Sequence, residues 1–571
     1  MVLVVACSGA KNETTQPPVT STSKFDSCPD DGVPTYGGGC KAIGVRECAK
    51  GFVADGVGGC SSKLPTCAKG TFASPGEDVC HEVMPCGAAP YGDVPTGVVV
   101  YVDGSFTGVS DGTRDKPFAK VQAAVDAAPR DATVAIADGV YSESLLISAA
   151  IKLHGRCPAR VEIKGVGARA IAVRAGATLT GIAVTGAGQG ITIDGDDVRL
   201  ERVWIHDTVA SGVVVLAFSG GATLAHSLIE KTRNTGVYVE ASDLRISDSA
   251  IRDISVASDG RAGNGVQAQI GKDGTASTIT LSSSIVERTV GPAVQSFGSD
   301  VMVEGSLIRD VTGRKDVASC IVGQKGTAAP RVPLISIVGS IVERCAGAGV
   351  HVDAGTLSFE RSTLRKILPD AAMKLGLGLD ASGGATLTVR DSLIAETRLV
   401  GILVGGSNGS IERTIVRDVS GQALNGNSGI AIAVFNEASP AAVTIDQSGI
   451  LHARTVGVFV AGAKVELLHS LIRDIKPEES TGKFGDGVEA SGGGTLNLSE
   501  TLVRDAVRAG VVVLASTATL ERDSVTCTGL DLAVEGDFHL DDRGGNVCGC
   551  DARIACVAQP STLEPVSFTR P

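Results

Sequence analysis

Pairs of oppositely charged residues recur along this chain, each directly after two apolar residues. Such a pair presents a cation beside a carboxylate, a combination that can bind a charged or hydroxylated ligand. The candidate ligand-binding residues are Arg252, Asp253, Arg309, Asp310, Arg417, Asp418, Arg473 and Asp474. A structural role is open as well, because stacked repeats would align the pairs in a column of ion pairs, each contributing little when exposed.

The order of the charges predicts the register of that column. Glu287-Arg288 reverses the order found in Arg252-Asp253 and Arg309-Asp310. In a stack of repeats, Glu287 would therefore lie between Arg252 and Arg309, about one strand spacing from each. Opposite charges would then alternate along the stack.

The elements that position these pairs are repeats of about 22 residues. The second apolar residue recurs at positions 205, 229, 251, 286, 308, 342, 364, 394, 416, 451, 472 and 503. Such self-similarity predicts a solenoid. A leucine-rich repeat has a similar period, but its asparagine ladder and regular leucines are missing, and valine and isoleucine dominate here. We therefore predict a right-handed parallel β-helix of a dozen or more coils, an all-β fold.

Long and short repeats alternate, so the unit is a pair of coils. The longer repeats carry extra residues chiefly after the charged pair, at 256–264, 312–319, 368–374, 421–427 and 476–485. Five loops should project from one edge, two coils or roughly 9.6 Å apart, which is near the length of a disaccharide. An old duplication with tolerated surface loops is the alternative.

The segment before the coils predicts a cap. Pro117 suits a first helical turn, apolar residues follow at helical spacing, and Pro129 ends the run. An alternating strand and Gly139-Val140-Tyr141 come next. This succession resembles the N-terminal cap of pectate-lyase-like parallel β-helix proteins, in which a short helix plugs the open end of the helix. The superfamily includes lyases, hydrolases, epimerases and adhesins, so the resemblance implies the fold and no single activity.

The familiar catalytic sets of that superfamily are not found in the sequence. A lyase would need a basic residue and often calcium, and a hydrolase would need a pair of carboxylates. Val203-Trp204-Ile205-His206-Asp207 reverses the Asp-His order of a pectate lyase motif, and Asp194-Gly195-Asp196-Asp197 lacks the companions of the polygalacturonase acids. No calcium motif is recognisable and the histidines lack metal-ligand spacing. We therefore predict no cofactor and no metal site, and calcium is the open alternative.

Fifteen cysteines, most of them clustered, favour an oxidising compartment. Three similar stretches predict three small loops, each closed by one disulfide. The pairs that we expect are Cys28 with Cys40, Cys48 with Cys60, Cys67 with Cys80, and Cys86 with Cys157, while Cys320 and Cys345 either pair or are reduced core residues; Cys527, Cys548, Cys550 and Cys556 form a second cluster of open connectivity.

The remaining cysteine, Cys7, follows Val4-Val5-Ala6 and precedes a stretch rich in Thr, Ser and Pro. This arrangement resembles a bacterial lipobox and its tether, although the apolar part of the signal peptide is short. The resemblance implies lipidation of Cys7 and attachment to a membrane, as in an outer-membrane lipoprotein, with an extracellular location as the alternative.

Composition limits the remaining choices. The net charge of −12 speaks against nucleic acid as a partner. Residues 1–24 are expected to form the lipobox and tether, 25–90 a disulfide-rich module, 91–143 the cap, 144–540 the coils, and 541–571 a disulfide-linked end. The function predicted is a non-catalytic scaffold of the cell envelope that binds a polysaccharide or another surface ligand. A polysaccharide lyase or hydrolase using the loop-bearing face is one alternative, and a purely structural spacer is another.

Overall fold

The structure is a computed structural model that describes residues 25–174, 176–186, 188–216, 221–314, 319–327, 329–550, 554–568 and 570. The predicted lipidation site Cys7 and its tether lie outside the described residues, as does part of the predicted loop at 312–319.

Three long parallel sheets make up most of the described chain, and the predicted parallel β-helix is confirmed. Each coil adds one strand to sheet 1, then one to sheet 2, then one to sheet 3. Valine and isoleucine dominate because their branched side chains pack well in the narrow interior between parallel sheets. The inward column that includes Ile229, Ile251, Val286, Ile308 and Val342 is fully buried.

The strands of sheet 1 are Leu145–Ile147, Arg169–Val173, Gln189–Ile193, Val213–Val215, Thr235–Glu240, Asn264–Gln269, Val294–Phe297, Ser319–Gln324, Ala348–Asp353, Leu377–Ser382, Val400–Gly405, Ile430–Phe435, Val456–Ala461, Asp486–Ser491, Ala509–Leu514, Leu530–Glu535 and Ala558–Pro560. Those of sheet 2 are Val99–Val102, Thr133–Ile136, Lys152–Gly155, Thr178–Thr180, Val198–Glu201, Ala222–Ala225, Asp243–Ser247, Thr278–Ser282, Asp300–Glu304, Leu334–Val338, Thr356–Glu360, Thr386–Arg390, Asn408–Glu412, Ala442–Asp446, Lys464–Leu468, Thr495–Ser499, Thr517–Glu521 and His539–Asp542. Those of sheet 3 are Gly139–Tyr141, Val161–Gly165, Ala183–Gly186, Trp204–Thr208, Leu228–Glu230, Ala250–Ile254, Ile285–Thr289, Leu307–Val311, Ile341–Cys345, Thr363–Arg365, Leu393–Arg398, Ile415–Ser420, Gly449–Ala453, Leu471–Ile475, Leu502–Ala506, Ser524–Thr526 and Val547–Cys548.

The longer turns join sheet 3 to sheet 1 on alternate coils, at the edge where the sequence predicts them. They connect the strand ends at 254 and 264, 365 and 377, 420 and 430, and 475 and 486, whereas the intervening turns span only a few residues. The coils continue to Ala558–Pro560, past the boundary expected at residue 540.

A short helix, Val121–Ala127, caps the first coils. It begins four residues after Pro117, because the chain first makes a bridge between Phe118 and Val102. The Glu143 carboxylate accepts the N–H groups of Val121 at 2.9 Å and Gln122 at 3.1 Å, which satisfies two free donors of the first turn. No described helix is long and apolar enough to cross a membrane.

Buried hydroxyl groups line the turn between sheets 2 and 3. In most coils a backbone N–H donates to the side-chain oxygen at the equivalent position one coil further along. We call this column the hydroxyl ladder; its residues are Ser227, Ser249, Ser284, Ser306, Ser340, Ser362, Ser392, Thr414, Ser448, Ser470 and Thr501. The ladder satisfies backbone donors that the turn would otherwise bury unpaired.

The disulfide-rich N-terminal region forms three small antiparallel hairpins, which we call the strap, residues 25–86. Their strands are Gly32–Pro34 with Cys40–Ala42, Phe52–Ala54 with Cys60–Ser62, and Thr71–Phe72 with His81–Glu82. The disulfides are Cys28–Cys40, Cys48–Cys60, Cys67–Cys80, Cys86–Cys157, Cys320–Cys345, Cys527–Cys550 and Cys548–Cys556. This number of disulfides fits a protein of an oxidising compartment outside the cytoplasm.

Candidate functional site

The charged residues singled out in the sequence form one column on the outer face of sheet 3. The strand register places Glu287 beside both Arg252 and Arg309, as the order of charges predicts. Arg309 Nε lies 2.7 Å from Glu287 Oε2. Opposite charges therefore alternate from Glu230 to Arg365. In the later coils the alternation ends, because Ala395 and Leu451 take positions in the column and Arg473 lies beside Arg504.

This column is covered by the strap. Arg252 is only 2% exposed, and its guanidinium donates to the carbonyl oxygens of Ala68 and Thr71, both at 2.8 Å. At the other end of the column, Arg417 and Arg473 both pair with Asp30 of the strap. Burial acts to raise the pKa of Asp30, but Arg473 and Arg417 hold it below its ordinary value.

The acidic partners in the column occupy a position with a left-handed backbone. Asp253, Asp310, Asp418 and Asp474 have φ between 55° and 59°, and Arg288, Arg344 and His452 at the equivalent position have φ between 52° and 54°. Asp253 and Asp310 accept from Arg288 and Arg344 of the next coil, and Asp418 and Asp474 flank His452.

Apolar contacts complete the interface between the strap and sheet 3. Phe52 and Phe72 of the strap pack with Leu228, Leu307 and Ile341, and two more strap residues, Val33 and Ile43, pack on the later coils. Of the eight predicted ligand residues, Arg252, Arg417 and Arg473 contact the strap. Arg309 pairs with Glu287, and the four aspartates stay partly exposed. Ligand binding by this column stays a prediction, and the other faces offer a further candidate.

The outer face of sheet 1 changes character along the molecule. One outward column runs through its middle, with one residue in each coil; its members are Thr192, Val214, Tyr238, Gln267, Gln295, Val322, His351, Asp380, Leu403, Ala433, Phe459, Glu489, Val512 and Ala533. The early coils present amide and aromatic side chains, and the later coils present apolar and acidic ones.

The later coils are covered by residues 561–568 and 570, which we call the return segment. Val566 and Phe568 pack into the apolar cluster that includes Leu403, Phe435 and Phe459. The ring of Phe568 lies 5.6 Å from that of Phe435 and 6.3 Å from that of Phe459, measured between centroids. This part of sheet 1 is closed to solvent.

Two carboxylates lie fully buried beneath the return segment. Asp486 and Glu489 are 0% exposed, and both lie beside the Arg508 guanidinium. Glu489 Oε1 accepts the N–H of Val566 at 3.0 Å. Burial, followed by the nearby Asp486 carboxylate, raises the pKa of Glu489 to about 8, and burial also raises the pKa of Asp486.

The early coils of sheet 1 carry a set of side chains that the return segment does not reach. We call them the open row: Tyr238, Glu240, Asn264, Gln267, Gln269, Gln295, Phe297 and Gln324. Six of them are half-buried, whereas Asn264 is 2% and Gln295 is 7% exposed. The row therefore presents amide groups and two aromatic rings along one face.

Hydrogen bonds hold the amides of the open row in place. Asn264 Nδ2 donates to Gln267 Oε1 at 2.9 Å and to Gln295 Oε1 at 2.7 Å. Asn264 itself is only 2% exposed, and its Oδ1 has no hydrogen-bond partner among the described residues. Asn264 Nδ2 therefore fixes both glutamine amides.

A cavity of about 340 Å³ adjoins the row at its first coils. Tyr238 lies on its wall and donates a hydrogen bond to Glu240 Oε2 at 2.7 Å. Burial and the Glu240 carboxylate raise the pKa of Tyr238, so the phenol stays protonated and keeps this bond. The remaining wall residues are Arg169, Gln189, Thr192, Ser211, Val214, Leu216 and Asn234.

This arrangement suits binding of a neutral, hydroxylated ligand. Each glutamine amide offers donors and an acceptor, and the aromatic rings offer apolar faces. Within the described residues, no three His, Cys, Asp or Glu side chains are grouped so as to hold a metal ion.

On sheet 3, His206 stacks on Trp204 and pairs with Asp207 at 2.8 Å, and burial lowers the pKa of His206.

Sequence reasoning missed the open row, although the signal was present. In Val237-Tyr238-Val239-Glu240 and Val266-Gln267-Ala268-Gln269, every second residue is polar or aromatic, which is typical of a strand with one face exposed. In Ile430-Ala431-Ile432-Ala433-Val434-Phe435 the apolar residues are continuous, which is typical of a strand covered on both faces.

Fold and site together define a disulfide-stabilised parallel β-helix whose sheet 3 is covered by a strap and whose sheet 1 is half covered and half open. No family model matches the chain, and no curated protein matches it.

Solved structures that resemble the chain are remote. A rhamnogalacturonan lyase is 10% identical, with 55% of this chain and 82% of that chain covered and a TM-score of 0.27. The catalytic unit of a thermostable GH87 α-1,3-glucanase from Streptomyces thermodiastaticus strain HF3-3 is 14% identical, with coverages of 81% and 70% and a TM-score of 0.32. The periplasmic alginate epimerase AlgG is 9% identical, with coverages of 71% and 79% and a TM-score of 0.26. We transfer neither an activity nor a site residue from them.

Proposed function

We propose that this protein is an extracytoplasmic polysaccharide-binding β-helix that holds its ligand on the open row of sheet 1. The observation that carries the proposal is the row itself. Amide and aromatic side chains repeat there on successive coils, with Tyr238, Gln267 and Gln295 in one column and Phe297 beside Gln269.

The geometry of a stacked sheet supports a polymer as the ligand. Equivalent positions on neighbouring coils lie roughly 4.8 Å apart, so a sugar chain that runs along the helix axis meets one coil per sugar, about two coils per disaccharide. Gln267 and Gln295 are such neighbours. Their amides can donate to and accept from hydroxyl groups, while Tyr238 and Phe297 offer faces for the apolar side of a sugar ring.

Binding without cleavage is the form of the function that we propose. A glycoside hydrolase uses two carboxylates, whereas the open row contains one, Glu240, which already accepts the Tyr238 hydroxyl. The proposed location is the cell envelope, with a lipid on Cys7 as the anchor.

The test is affinity electrophoresis of the purified protein through gels that contain acidic or neutral polysaccharides. We expect at least one polysaccharide to retard the wild type. Gln267→Ala/Gln295→Ala should weaken that binding by at least about tenfold, roughly 1.4 kcal/mol, because two amides that face the ligand are lost.

The matched control is Thr280→Ala/Met302→Ala, which alters neighbouring outward residues on sheet 2 in the same coils. This variant should migrate like the wild type. Equal retardation of all three proteins, or of none, would contradict the proposed site. New reducing or unsaturated ends in the polysaccharide would show that the protein cleaves its ligand, which would contradict a function of binding alone.

A further inference from the structure

The return segment crosses sheet 1 in the direction of the helix axis. The last strand, Ala558–Pro560, pairs with Leu530–Glu535, and the chain then runs back over earlier coils. The Glu564 carbonyl accepts from Arg508 at 2.7 Å, the Val566 N–H donates to Glu489 at 3.0 Å, and Arg570 reaches Asp380 at 3.1 Å. The segment thus travels toward the open row.

Its contacts are those of a bound extended chain. The segment lies across the strands, so it does not extend the sheet as a further strand would. Side chains hold the segment on the sheet. Val566 and Phe568 pack into the apolar cluster, and Arg570 forms an ion pair with Glu437 at 2.9 Å and donates a hydrogen bond to Ser382 Oγ at 2.8 Å. A polymer lying along the axis would follow the same course.

The surface under the segment has the composition of a sugar-binding groove. Phe435 and Phe459 supply aromatic faces, and Asp380, Glu437 and Glu489 supply acceptors for hydroxyl groups. Asp380 lies one coil from His351 in the central column, and His351 Nδ1 lies 2.8 Å from Asp380 Oδ2. The covered half therefore continues the line of the open row.

We propose that the return segment is an intramolecular occupant of the ligand groove, and that a polysaccharide long enough to pass His351 displaces it. This inference rests on the proposed function. The uncovered strands run from Gln189–Ile193 to Ala348–Asp353, six coil spacings or roughly 29 Å. Chains of up to about six sugars should bind without disturbing the segment, whereas longer chains should compete with it.

The experiment compares short and long fragments of the polysaccharide that retards the wild type. In Phe568→Ala/Arg570→Ala, the segment loses its aromatic and charged contacts. Affinity for fragments of twelve or more sugars should rise at least tenfold, because the ligand no longer competes with the segment. Affinity for four-sugar fragments should stay within twofold. Lys483→Ala is the matched control, since it removes only an exposed ion pair to Glu564 and should leave both affinities unchanged.

A second measurement needs no variant. Hydrogen exchange of the peptide 561–570 in the wild-type protein should speed up when the long fragment binds and stay unchanged with the short one. If the wild type binds both fragments while the segment stays protected and its variant binds like the wild type, the inference is overturned and the proposed function stands. If no polysaccharide binds to the wild type or the variant, both are overturned.

Discussion

In most coils a single buried hydroxyl group at the turn between sheets 2 and 3 connects one coil to the next. Ser306 is 0% exposed; its Oγ accepts the N–H of Ser284 at 3.1 Å and donates to the carbonyl of Glu304 at 2.9 Å. An alanine here would leave a buried backbone donor unpaired, which costs about 1–3 kcal/mol.

Ser306→Ala should therefore lower the free energy of unfolding by about that amount. The measurement is chemical denaturation, with Ser410→Ala as the control, because Ser410 is exposed on sheet 2. Equal stabilities for the two variants would show that the hydroxyl ladder contributes nothing.

Glu489 predicts a pH dependence of stability. Its pKa in the folded protein is about 8, against about 4.3 in an unfolded chain. Between these values the folded state binds more protons than the unfolded state, so stability falls as pH rises. The groups that face Glu489 are Asp486, Arg508 and the Val566 N–H.

Raising the pH from 5 to 8 should therefore lower the melting temperature of the wild type by more than that of Glu489→Gln, with a difference of about 1–3 °C. Asp486 remains in both proteins and adds a slope of the same sign. If the melting temperatures of the two proteins fall equally between pH 5 and 8, Glu489 is ionised in the folded protein throughout this range.

The strap is held to sheet 3 by a few buried groups. Arg252→Met would remove the donors to the Ala68 and Thr71 carbonyls and leave Glu230 without its cation. Breaking such a buried pair costs about 3–5 kcal/mol. Hydrogen exchange of residues 64–84 should accelerate strongly in this variant.

Arg504→Met is the matched control for the strap, because Arg504 is half-exposed and bonds its neighbour Asp505. Its strap should exchange as in the wild type. If Arg252→Met also exchanges like the wild type, the buried arginine does not fasten the strap and remains available for another role.

The coils could be predicted from the sequence, but their covers could not. The period of the repeat, the alternation of long turns, and the placement of Glu287 between Arg252 and Arg309 all follow from local patterns. The partners of Arg252 in the strap lie more than 180 residues away in the sequence, and no local sequence pattern predicts these contacts. Leu307-Ile308 gives a partial signal, since two consecutive apolar residues on a strand require cover on both faces.

The same limit applies to the candidate site. Charge made the sheet 3 column conspicuous in the sequence, yet the strap buries much of it. The amides of the open row are uncharged and belong to no recognisable motif. They form a candidate site only because the sheet places Gln267 beside Gln295. Whether a strand faces solvent depends on segments that pack from outside.

The three faces of the β-helix differ in how far other segments of the chain cover them. Sheet 3 is covered by the strap, the later coils of sheet 1 are covered by the return segment, and sheet 2 presents outward residues such as Thr280, Ser336 and Ser410. The early coils of sheet 1 combine an adjoining cavity with amide and aromatic side chains. We propose that this face binds the polysaccharide.

A crystal structure of the protein with a bound oligosaccharide tests that claim most directly. We expect density for the sugar chain over Tyr238, Gln267 and Gln295. Density over sheet 2, or in place of the strap on sheet 3, would contradict it.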